Sequence, residues 1–157
     1  MMRAALILLA VVLGAQDVAG QVPKQEKHIL ETSQRNLQYI EELLASRSEL
    51  RFKFRNLKTM INLMYSQDTS SWTVDLVKAL IQAFLNDLNE LEKYGRIDNS
   101  SVYALSSLAS DLYHIMSHLK PARAEMANDL LKTVDHAENK TPMEKLRELM
   151  KLQQYNL

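Results

Sequence analysis

Between Lys24 and Lys93 the chain contains neither glycine nor proline, and its apolar residues recur at helical intervals. Leu43, Leu50, Leu57 and Met64 stand seven apart, beside a second ladder of Ile40, Phe54 and Ile61. Sustained over several turns, that spacing predicts one long first helix, with Ser46 to Ser48 the place where it could break. Within it lies LRFKFR (50–55), which alternates apolar and basic residues as a half-buried strand would. A six-residue strand with no turn residues to bound it competes poorly with the longer ladders, so the stretch is read as helical. At ~100° per residue, Arg47, Arg51, Arg55 and Lys58 then share one sector of ~80° beside the apolar stripe, and Phe52 projects away from both.

The later elements follow from their punctuation. Thr73 is an expected N-cap with Asp75 in the first turn, and Trp72 and Val77 occupy the two positions of a hydrophobic staple. Val74, Val77, Ile81, Phe84, Leu88 and Leu91 carry the second helix to a stop at Gly95. Asp98 to Ser101 offers caps for a third, with a stripe of Leu105, Leu108, Leu112, Ile115 and Leu119 that Pro121 ends or kinks at Lys120. Met126, Leu130, Val134 and Ala137 mark a fourth. Thr141-Pro142-Met143-Glu144 is a capping box with proline at the first helical position, opening a fifth through Leu146, Leu149, Met150 and Tyr155. The expected fold is all-α, an antiparallel bundle of about five helices in one domain.

The amino terminus is apolar in a different way. Met1, Met2 and Arg3 precede the unbroken apolar run Ala4 to Leu13, which has the length of a signal-peptide core and is too short to span a bilayer. Val18-Ala19-Gly20 favours cleavage before Gln21, with Ala15 as a second site, so residues 1–20 read as a signal peptide and 21–157 as the secreted domain. Later residues contain no second apolar stretch of spanning length, so no stable membrane insertion is expected.

Composition narrows the chemistry. With 19 basic and 19 acidic residues the chain has no global field to draw it onto nucleic acid. Cysteine is absent, so no disulfide can staple the domain and packing alone must hold it. Beyond the leader Gly95 is the one glycine, which disfavours phosphate-cradling loops, dinucleotide turns and nucleophile elbows. No spacing assembles Ser, His and Asp into a catalytic set, so no enzyme is expected and no cofactor is implied.

His114 and His118 (HIMSH) stand four apart and could face one metal on a helix. They lie roughly opposite the Leu105 to Leu119 stripe with no third ligand apparent, so they are read as solvated surface and no metal site is assigned. His28 and His136 are isolated in the sequence. Asn99-Ser100-Ser101 and Asn139-Lys140-Thr141 are glycosylation sequons in expected inter-helix turns, and the first is preferred because Thr141 is an expected cap followed by Pro142.

The group Arg47, Arg51, Phe52, Arg55 and Lys58 is the candidate partner-binding site. A basic stripe is most often a solvated helix face, yet Arg beside an outward aromatic is the pairing enriched at protein interfaces. SELRFKFRNLK (48–58) and WTVDLVKALI (72–81), in a cysteine-free helical chain behind a signal peptide, resemble the salivary gland 7 family of anopheline mosquitoes. The resemblance implies a salivary secretion that binds host plasma proteins or a protease complex, blocking the alternative complement pathway or contact activation of the kallikrein-kinin system. It implies no catalytic residue. Two other classes remain open: a lipid carrier like the apolipophorins, whose amphipathic helices open onto lipid, and a helical cytokine or hormone. One Trp, three Phe and six Tyr favour a core fixed by shape over the carrier.

Overall fold

The computed structural model describes residues 20–155. The expected signal-peptide core at 4–13 lies outside the described residues. Among the described residues the chain is all-α, without strands, and forms six α-helices with three short 3-10 turns. They are α1 (Lys27–Arg47), α2 (Arg55–Tyr65), α3 (Val74–Glu92), α4 (Asn99–Ser117), α5 (Pro121–Asp135) and α6 (Pro142–Met150). The 3-10 turns are Lys24–Glu26, Thr69–Ser71 and Lys151–Tyr155. No described helix is long and apolar enough to cross a membrane.

The first helix breaks at Ser48, within the stretch where the sequence allowed a break, but residues 50–54, expected to be helical, are not, which corrects that expectation. Helix α1 ends at Arg47, Glu49 takes a left-handed φ of 58°, and residues 50–54 run without helical structure into α2. The Leu44 carbonyl accepts both the Ser48 and the Leu50 N–H at 3.0 Å, closing the turn that the Glu49 conformation makes possible. Period-two alternation is therefore real here: Leu50, Phe52 and Phe54 are buried while Arg51, Lys53 and Arg55 are exposed.

Several local signals appear where expected. The Thr73 hydroxyl accepts the Leu76 N–H at 3.2 Å. Asp98 caps α4 by accepting the Ser101 N–H at 2.9 Å, and Thr141 and Glu144 form the reciprocal box, at 2.8 and 3.2 Å. Gly95 turns the chain after α3 at a φ of 69°, a conformation that leaves a Cβ strained even though space is open around it.

Helix α3 buries Val77, Leu80, Ile81, Phe84, Leu85, Leu88 and Leu91. It packs on α2, α4 and α6, while α4 packs on α1 and α5. Each fully buried Leu, Ile or Phe stabilises the fold by about 1.5–3 kcal/mol, the only large favourable term open to a chain without disulfides. Buried aromatics keep their polar atoms satisfied: Trp72 Nε1 donates to the Met64 carbonyl at 3.1 Å and the Tyr113 hydroxyl to Leu152 at 3.2 Å. The face of α5 differs from expectation. Ala124, Ala127, Leu131 and Val134 are buried, whereas Met126 is half-exposed. Two alanines carry the start of that face, and small residues let α5 lie close against α4 without forming a stripe conspicuous in the sequence.

Candidate interaction surface

The surface is built on the α1–α2 link, and two buried carboxylates anchor it. Phe54, the residue preceding α2, offers no capping side chain. Acids from neighbouring helices take that role. Glu41 of α1 accepts the Phe54 N–H at 3.0 Å, and Asp87 of α3 accepts the Leu57 N–H and the Asn56 amide, each at 2.9 Å. Both face the positive end of α2, where backbone N–H groups lack helical partners. Burial pushes the Asp87 carboxyl up, and the hydrogen bonds from Leu57 and Asn56 counter it in part, while the nearby Glu41 charge adds to the rise.

This anchoring redistributes the expected ridge. Arg47, Arg51, Arg55 and Lys58 do not share a sector of one helix, because the link interrupts the helical phase between them. Arg47 closes α1 and reaches Asp98 at 3.4 Å. Lys58 is drawn to Glu41 at 2.8 Å, and Lys53 lies 3.5 Å from the same carboxylate. The outward direction read for Phe52 is also corrected: in an extended link its side chain alternates inward with Leu50 and Phe54. It is 7% exposed and packs edge-on to Phe54 at 5.0 Å and to Tyr94 at 5.9 Å.

What remains on the outside is smaller and better defined. Among the described residues the guanidinium groups of Arg51 and Arg55 carry no ion pair or hydrogen bond, and both are exposed. They border a shallow depression with Lys53, Lys93, Glu90 and Tyr94, whose ring is 54% exposed. Lys93 pairs with Glu90 at 3.1 Å. Lys93 and Tyr94 come from the turn that follows α3 and were not singled out in the sequence, where only the following Gly95 marks them as near a helix stop.

The other candidates are placed as follows. Asn99 is the first residue of α4 rather than part of the preceding turn; its Oδ1 accepts from Lys145 at 3.4 Å, and Ser101 of the sequon is buried. Asn139 lies exposed in the turn between α5 and α6. His28 lies 3.5 Å from Glu31, and His136 Nδ1 lies 2.8 Å from the Lys132 carbonyl. His114 and His118 meet a group that the sequence did not suggest, Glu26 of the amino-terminal turn, at 2.8 and 3.0 Å. No family model, curated protein or solved structure matches the chain.

Proposed function

We propose that the protein is a secreted binding protein that inhibits a host plasma cascade by occupying a surface of a plasma protein or protease complex. The alternative complement pathway and contact activation of the kallikrein-kinin system are the two targets, as the likeness to the salivary gland 7 family implies. Its helices, joined by short turns, run antiparallel to their chain neighbours, and no catalytic group takes part.

The observation that carries the reading is the pair of guanidiniums, Arg51 and Arg55, unpaired among the described residues, beside the exposed Tyr94. Three buried apolar side chains and the Glu41 and Asp87 contacts hold the backbone from which they project. A fixed backbone reduces the entropy lost on docking, and Arg and Tyr are residue types that dominate interface energetics. Their partner is an acidic protein surface, onto which a guanidinium can fork with two hydrogen bonds.

A lipid carrier of the apolipophorin kind fits less well. Opening α2 away from α1 and α3 would strip Glu41 and Asp87 of the N–H groups they accept, and unpaired charges are costly in an apolar surrounding. The purified protein should inhibit either alternative-pathway lysis or contact activation at a stoichiometry near that of the target, and bind phospholipid vesicles weakly. Inactivity in both assays together with avid vesicle binding would transfer the assignment to the carrier.

A further inference from the structure

Glu26 is a buried carboxylate, 8% exposed, and its only polar side-chain partners among the described residues are two imidazoles. The 3-10 turn that follows Pro23 sets its position, with the Glu26 N–H donating to the Pro23 carbonyl at 3.0 Å. That turn packs against the 3-10 turn at Thr69–Ser71. On the other side, the spacing of four places His114 and His118 one above the other at the end of α4, with perpendicular rings 5.2 Å apart. Both Nε2 atoms face the same oxygen, Glu26 Oε2, at 2.8 and 3.0 Å, and the three ligand atoms lie within 4.8 Å of one another.

We propose that Glu26, His114 and His118 bind one divalent transition-metal ion of the zinc class, which clamps the amino-terminal turn to the end of α4. An ion holding imidazole nitrogen and carboxylate oxygen at about 2.0–2.2 Å in tetrahedral geometry spaces neighbouring ligand atoms by roughly 3.3 Å. The two carboxylate–imidazole separations, 2.8 and 3.0 Å, need to open by only a few tenths of an ångström. Two imidazoles with one carboxylate and no thiolate suit zinc, cobalt, nickel and copper, whereas calcium and magnesium take oxygen ligands throughout. Three protein ligands leave a fourth position for water, and the half-exposed His114 places the group at the surface. The ion joins residues 92 apart in the chain, so it ties together segments that the sequence keeps distant.

The test uses the full chain expressed in a secreting host, purified from the medium without a histidine tag and stripped with a chelator. Zinc chloride is titrated calorimetrically, and cobalt(II) is followed by its visible ligand-field absorption. The expected result is saturable binding of one ion per chain, a tetrahedral or five-coordinate cobalt spectrum, and a higher melting temperature with zinc. Glu26→Gln and His118→Ala should each weaken zinc binding at least about tenfold while keeping the helical circular dichroism of the metal-free parent. If Glu26→Gln does not fold, His114→Ala at the half-exposed ligand makes the same comparison. The proposal is overturned by a parent that binds no zinc saturably at micromolar concentration, or by variants that bind as the parent does.

Discussion

Glu41 and Asp87, on different helices, cap the same helix start: Glu41 takes the Phe54 N–H and Asp87 the Leu57 N–H, at 3.0 and 2.9 Å. Helix α2 therefore begins where its tertiary neighbours supply acceptors, since its own sequence supplies none. Asp87→Ala leaves a buried N–H without a partner and should lower unfolding free energy by about 2–3 kcal/mol. Asp87→Asn retains one acceptor and should lose less than half as much. Urea titrations of the two variants against the parent check both values.

Glu49 and Gly95 occupy left-handed backbone with opposite side-chain requirements, at φ values of 58° and 69°. Glu49→Gly relieves a conformation unfavourable to any side chain and should stabilise by about 0.5–1 kcal/mol, while Gly95→Ala should destabilise by about 1 kcal/mol. Opposite shifts of the denaturation midpoint are the expected outcome.

The alternation in the link separates stability from surface chemistry. Phe52→Ala removes a ring packed against Phe54 and Tyr94 and should cost about 3 kcal/mol or more. Its neighbour Arg51 is exposed, so Arg51→Ala should leave stability within about 0.5 kcal/mol. Equal effects at the two positions would place Phe52 outside the core.

Locally encoded features were the legible ones. The caps at Thr73 and Asp98 and the Thr141–Glu144 box need only residues three apart, and all three are formed. The link was misread because the ladder Leu43, Leu50, Leu57 and Met64 mimics one continuous helix, while the break uses Glu49 where a glycine would have announced it. Its stabilising acids are non-local, 13 and 30 residues from the groups they cap. The same distance problem hid Glu26 from the histidine pair. In α5 the buried face begins with alanines, which a search for large apolar residues passes over in favour of Met126.

Acid should weaken the fold through Asp98. Burial alone would raise its carboxyl, but the Ser101 N–H and the Arg47 guanidinium outweigh that effect and hold it below the ordinary range. A lowered folded-state value means stability is fully present above the unfolded value near 3.9 and is lost as pH falls through the folded value. Asp87 opposes this, because a raised carboxyl contributes most in acid and loses that contribution as pH rises through its folded value. Melting temperatures measured between about pH 5 and pH 3 should fall less steeply in Asp98→Asn than in the parent.

The most direct test of the binding account reverses the charge at Arg51 and Arg55 together, by Arg51→Glu and Arg55→Glu, after circular dichroism and melting confirm an unchanged fold. Inhibition is then titrated in whichever of the two assays, alternative-pathway lysis or contact activation, the parent protein inhibits. The account predicts a loss of about 2 kcal/mol or more for each guanidinium that becomes desolvated and paired, with the remaining inhibition strongly dependent on salt. Full potency in the folded double variant would contradict it and return both arginines to solvent.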